Sequence, residues 1–162
     1  MRLSDGNKSD ALHESNLTVY TSCAVADHLG LGGSIPPEIA RLDGLEVLVM
    51  INNAIGGSIP SEIGLLTNLL DVDLHVNRLT GEIPVEFYSL NKMLTFNLGY
   101  NNLNGTIAPQ IGNMTALKGI HIHENGLHGP IPAEIGNLHG TLGKTARDSL
   151  HEYDLLRSFR RN

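Results

Sequence analysis

Few side chains in this 162-residue chain are spaced so that they could do chemistry together. His121-Ile-His123 puts two imidazoles two residues apart, and on a strand such residues project from one face about 7 Å apart, close enough to share a metal ion. Asp71-Val-Asp73 does the same with two carboxylates, the pair that glycoside hydrolysis uses. Neither set is complete. The His pair lacks a third ligand at a reachable spacing, and the single cysteine, Cys23, can build neither a thiolate metal site nor an internal disulfide. Gly143-Lys144-Thr145 fails as a phosphate-binding loop, because Leu138 stands where its first glycine is needed. The chain therefore reads as non-enzymatic, with no catalytic residue, no metal and no cofactor assigned.

Composition bounds what can position these groups. Charged residues make up 17%, hydrophobic ones 41% and aromatics 4%, with 18 Gly, 7 Pro and no Trp, so any core is built from Leu and Ile. The length fits one domain of roughly 100–200 residues. Eleven Lys plus Arg against 17 Asp plus Glu give a net charge of -6, which argues against a nucleic-acid partner. There is no apolar run of the ~18 residues that a membrane-spanning helix requires, and residues 1–25 lack the apolar core of a secretory signal.

The organising feature is a repeat. Gly33-Ser-Ile-Pro-Pro-Glu-Ile39 recurs as related blocks beginning at Gly57, Gly81, Gly105 and Gly129, a constant spacing of 24 residues. Between the blocks lie Leu45–Ile55, Leu69–Leu79, Met93–Leu103 and Leu117–Leu127, each matching L-x-x-L-x-L-x-x-N-x-L with other large apolar residues allowed for Leu. The alternation in x-x-L-x-L-x-x is that of a short strand with one buried face, so Leu48/Met50, Val72/Leu74, Phe96/Leu98 and Ile120/Ile122 should point inward. Asn53, Asn77, Asn101 and Asn125 fall at the same turn of successive coils, where an amide can satisfy backbone groups that stacking would strand, making an asparagine ladder. Pro36, Pro60, Pro84 and Pro132 forbid a normal helix entry and favour extended segments on the back.

The arrangement Ile55-Gly-Gly-Ser-Ile59-Pro60-Ser-Glu-Ile63-Gly64-Leu-Leu66 resembles the plant-type class of leucine-rich repeats found in receptor-like kinase ectodomains and polygalacturonase-inhibiting proteins. The resemblance covers residues 31 to about 140. It implies an α/β solenoid, a right-handed superhelix of 24-residue coils with a parallel concave sheet and extended or 3-10 segments behind. It further implies a non-enzymatic module that recognises a protein, peptide or oligosaccharide on the concave face, extracellular or at the plasma membrane, as a piece of a longer receptor-like protein. A small secreted enzyme inhibitor or a truncated remnant without a ligand is the alternative, and a metal-dependent activity at His121/His123 a third.

On this frame the domains are residues 1–32 (an N-terminal segment and degenerate first coil, with Thr21, Ala24, Ala26 and Leu29 in strand and ladder slots), 33–140 (four full repeats and a partial fifth), and 141–162. Past Gly140 the register fails, and Leu142, Ala146, Leu150, Tyr153, Leu156 and Phe159 recur at helical spacing. Residues 144–160 read as an amphipathic helix, with three meanings open: a cap over the solenoid end, a truncated end, or a membrane-surface helix carrying Arg157, Arg160 and Arg161.

Returned to the coils, the chemistry-bearing residues fall in outward slots. The central column is Val49, Asp73, Asn97, His121, flanked by Ile51, His75, Gly99, His123, with Val76, Tyr100 and Glu124 beside them. The expected ligand contacts are Asp71, Asp73, His75, Asn97, Tyr100, His121, His123 and Glu124. Ile51, Leu70, Leu94 and Val76 are expected as exposed apolar residues on the same face, and no Ser or Cys stands in these columns as a nucleophile. Four N-x-S/T sequons, at Asn7, Asn16, Asn104 and Asn113, are candidate glycosylation sites.

Overall fold

The computed structural model describes residues 18–20 and 22–138. Thr21, Asn7, Asn16 and the helix expected over 144–160 lie outside the described residues. Within them the 24-residue period becomes a solenoid in which each coil contributes one strand to a common sheet. That sheet has six strands in the order β1 (Thr18–Tyr20), β2 (Cys23–Val25), β3 (Val47–Val49), β5 (Asp71–Asp73), β7 (Thr95–Asn97) and β9 (Gly119–His121). From β2 onward the strands are parallel, and Ala24, Leu48, Val72, Phe96 and Ile120 stand in register. The sheet's inner residues Leu48, Met50, Val72, Leu74, Phe96, Leu98, Ile120 and Ile122 are all buried, so a period of two delivers one face to the core in every coil.

The back of each coil is a 3-10 helix: η1 (Pro37–Arg41), η2 (Ser61–Leu65), η3 (Val85–Ser89), η4 (Pro109–Asn113) and η5 (Ala133–Leu138). Pro36, Pro60 and Pro84 are extended residues directly before η1, η2 and η3, with ψ of 150°, 141° and 143°. In the fourth coil proline is displaced by one residue, and Ala108 takes the same extended geometry (φ -74°, ψ 147°) because a residue preceding proline is also driven away from the helical region. Each turn then closes on a tight bond, such as Leu66 N–H donating to Ile63 O at 3.1 Å.

Successive back helices pack closely. A side-chain carbon at Gly64 would lie 2.5 Å from Glu86 O, and one at Gly112 would lie 2.8 Å from Glu134 O. The coil between them places Tyr88 in that slot, buried against Phe87, whose ring meets Phe96 edge-on at 5.3 Å.

Two features are not legible in the repeat. β1 pairs antiparallel with β2, so the sheet's first edge is closed by a reversed strand rather than by another coil. A second sheet, β4 (Gly56–Gly57), β6 (Arg78–Gly81) and β8 (Asn102–Leu103), follows the ladder turn and ties the coils together on their far flank.

Candidate ligand-binding face

The turn after each concave strand is set by asparagine. Asn77 Nδ2 donates to Met50 O at 2.7 Å and Leu74 O at 3.1 Å, while its Oδ1 accepts from Ile55 N–H at 3.1 Å. Asn101 repeats this with Leu74 O (3.0 Å), Leu98 O (3.1 Å) and Leu79 N–H (3.0 Å). Asn125 does so with Leu98 O, Ile122 O and Leu103 N–H. Asn53 reaches back to Ala26 O and accepts from both Leu29 and Leu31 N–H. Each amide thus ties its own coil to the preceding one, using donors and acceptor together.

The residue just before each ladder slot, which holds Leu29 in the first coil and Asn in the next four, has left-handed backbone: His28, Asn52, Val76, Tyr100 and Glu124 all have φ between 50° and 54°. This bend throws the side chain onto a rim beside the sheet. Tyr100 and Glu124 are therefore rim residues, exposed, while Asp71, Asp73, His75, Asn97, His121 and His123 lie half-buried in the sheet columns. Of the expected apolar exposures only Val76 is exposed, at 37%; Ile51, Leu70 and Leu94 are half-buried, because neighbouring coils at the usual strand spacing of about 4.8 Å cover their flanks.

The polar columns are tied into a network across strands. Asp71 Oδ1 accepts from the Thr95 hydroxyl on the next strand. Asp73 Oδ1 accepts from His75 N–H at 3.1 Å and from His75 Nδ1 at 2.6 Å. A carboxylate only accepts, so His75 Nδ1 carries the hydrogen of this bond. Asn97 Nδ2 donates to the second oxygen of Asp73 at 3.4 Å, and its Oδ1 accepts from Gly99 N–H at 3.1 Å. Gly99 has a steric role as well: a side-chain carbon there would lie 2.9 Å from Cε1 of His123, so glycine lets that ring lie over the neighbouring strand. The His123 ring meets Tyr100 edge-on at 5.1 Å and His121 at 6.4 Å, measured between centroids.

His121 is held below its ordinary 6.5 by burial first and by the His123 and His75 rings second, with Asp73 opposing. Among the described residues no three His, Cys, Asp or Glu side chains are disposed to hold a metal ion, and no helix is long and apolar enough to cross a membrane.

Columns that begin at Val49 and Ile51 miss what β2 adds. Val25 extends the central column, Asp27 the flanking one, and His28, paired through Nδ1 with Asp27, begins the rim. Counting back one period from Val49 and Ile51 is the signal that finds them.

Neither a family model nor a curated protein matches the sequence. Solved structures do. The leucine-rich repeat ectodomain of the Arabidopsis thaliana membrane receptor kinase GASSHO1/SCHENGEN3, in complex with CASPARIAN STRIP INTEGRITY FACTOR 2, is 35% identical over 70% of this chain with a TM-score of 0.68. The Arabidopsis receptor kinase HAESA, in complex with the peptide hormone IDA and the co-receptor SERK1, is 33% identical over 69% of it with a TM-score of 0.67. The chain belongs to the plant-type leucine-rich repeat proteins. A plant ice-binding protein shares the same architecture, 33% identical over 74% of this chain at a TM-score of 0.69. This leucine-rich repeat chain spans 13%, 19% and 39% of those three proteins respectively. Its sequon residues Asn104 and Asn113 are both exposed, the first just after β8 and the second at the end of η4, so both lie off the concave sheet.

Proposed function

We propose that this chain is a non-enzymatic recognition module that takes a short peptide across its concave face. One observation carries the reading: the half-exposed polar side chains of two adjacent strands, β5 and β7, are fixed by bonds between them, Thr95 to Asp71 and Asn97 to Asp73, with His75 held by Asp73 of its own coil. Solvation alone asks only that outward slots be polar; it does not ask that they be held. A rigid array of this kind presents donors and acceptors without the ordering cost that weakens a flexible site.

Size argues for a short ligand. Six strands at ~4.8 Å, with about five residues of each coil counted across the face at ~3.4 Å each, give a face of about 400 Å², half of the ~800 Å² per partner in a standard protein interface. The peptide-hormone complex of the similar HAESA ectodomain supports a peptide as occupant. An oligosaccharide is the second ligand class, favoured by Tyr100, a residue 53% exposed beside hydrogen-bonding groups. A face this small also supports the reading that the module belongs to a longer receptor-like protein whose other coils extend it.

The test is retention on arrays of short peptides and of oligosaccharides, comparing the chain with an Asn97→Ala/His121→Ala variant. Peptide retention lost in the variant, with an unchanged circular dichroism spectrum, is the expected result. Equal retention by both would contradict the site.

A further inference from the structure

The left-handed rim residues carry information of their own. Five successive coils put a residue with φ between 50° and 54° at this slot, so the fold dictates the backbone there whatever the side chain. Asn and His tolerate the left-handed region best after glycine, and Asn52 and His28 suit it. Val76 does not. A β-branched residue at φ 54° is disfavoured by its own backbone, and here 37% of its surface also faces solvent, so part of its apolar surface stays outside the packing. On the next coil, about 4.8 Å away, Tyr100 occupies the same slot at φ 52° with 53% of its surface exposed and its ring braced edge-on by His123. Two neighbouring coils thus hold apolar surface outward at a position where a polar residue would cost less. A strained apolar residue kept where the fold would accept asparagine is a pointer to function.

The charges around the pair select its occupant. The described concave face and rim carry the carboxylates of Asp27, Glu46, Asp71, Asp73 and Glu124 against one formal cation, Lys118, with His28, His75, His121 and His123 close by. Arg78 follows the ladder turn and belongs to the second sheet. We propose that Val76 and Tyr100 form an apolar anchor that seats an aliphatic or aromatic side chain of a cationic peptide, whose basic groups lie against the acidic concave face. The inference rests on the concave face being a peptide site, and it adds the peptide's sign and the residue type it must present. The anchor is flat and small, a place for one side chain near the middle of the ligand, which is where the few residues dominating an interface concentrate.

The experiment uses a display library of random peptides about eight residues long, enough to cross the sheet at ~4.8 Å per strand and ~3.4 Å per residue. Selection on the full chain should enrich peptides carrying Lys or Arg next to Leu, Phe, Tyr or Trp. The enriched peptides are then measured against Val76→Asn and Tyr100→Ser. Each substitution should weaken binding about tenfold or more. Val76→Asn should at the same time raise the thermal midpoint, by about 2–4 °C, because asparagine suits the left-handed backbone. A Val76 kept for structural reasons alone would instead give a lowered midpoint and unchanged binding, and this overturns the anchor. Enrichment of acidic peptides overturns the assigned sign. Peptides indifferent to both rim variants but lost with Asn97→Ala/His121→Ala sink the anchor while leaving the concave site standing; a library from which nothing is enriched sinks both.

Discussion

The asparagine ladder and the concave columns run through the same coils only a few residues apart, and they behave in opposite ways. Along the ladder the side chain is Asn in four successive coils, each donating to the carbonyl 27 residues back and accepting from the amide 22 residues back, and beneath it the inner slots stay large and apolar. Along the columns the residue changes at every step, from Val49 to Asp73, Asn97 and His121, and from Ile51 to His75, Gly99 and His123. The difference teaches which slots the stack constrains. A ladder amide answers a demand that recurs identically every 24 residues, because stacking strands the same carbonyls each time. A concave side chain answers no such demand, so its identity is free to serve a ligand.

Substitutions can break this contrast or sharpen it. The largest effect should come from Asn101→Leu, which strands Leu79 N–H in the buried turn and takes one of two ladder donors from Leu74 O and from Leu98 O; chemical denaturation should show a loss of at least about 2 kcal/mol, and a change inside about 0.5 kcal/mol would mean the ladder is not holding the stack. Gly64→Ala comes next. Its new carbon meets backbone at Glu86 O rather than a flexible side-chain tip, so the back helices must part, at a cost of about 1 kcal/mol or more in the same measurement. Asn97→Ala removes a column residue instead, and should cost less, about 1 kcal/mol, because its half-exposed partner Asp73 keeps access to water and only the N–H of buried Gly99 loses an acceptor. Were Asn97→Ala to destabilise as much as Asn101→Leu, the division between holding and presenting slots would collapse.

The smallest effect is in pH. His121 is protonated less readily in the folded chain than in the unfolded one, so the unfolded state binds the extra proton first and stability falls as pH drops through about 6.5. Thermal midpoints between pH 7 and 5 should fall slightly more for the parent chain than for His121→Gln. An equal fall in both would show that burial and the neighbouring imidazoles do not set the behaviour of this ring.

How far the sequence was legible follows the same line. Leu48, Met50, Phe96 and the four Asn positions can be placed from spacing alone, because a slot repeated every 24 residues exposes its constraint by repetition. β1 cannot, since Thr18–Tyr20 pairs through backbone bonds as a reversed strand and owes nothing to the period. The sheet of β4, β6 and β8 is hidden for a similar reason: at Gly56–Gly57 there is no side-chain pattern to read. In the site, the columns follow from the register, but three facts depend on coordinates. These are the coverage of Leu70 and Leu94 by neighbouring coils, the lean of His123 over Gly99, and the left-handed backbone that moves Val76, Tyr100 and Glu124 to the rim. Glycine beside histidine in one column hinted at the second; nothing about a valine hints at the third.

The most direct test of the concave face as the recognition surface is a residue-by-residue NMR titration of the isotopically labelled chain with a peptide recovered from the library. Amide shifts should concentrate on Asp73, His75, Asn97, Tyr100, His121 and His123, with Val76 among them and η2, η3 and η4 silent. Shifts that gather instead on those back helices, or on the sheet of β4, β6 and β8, would contradict it.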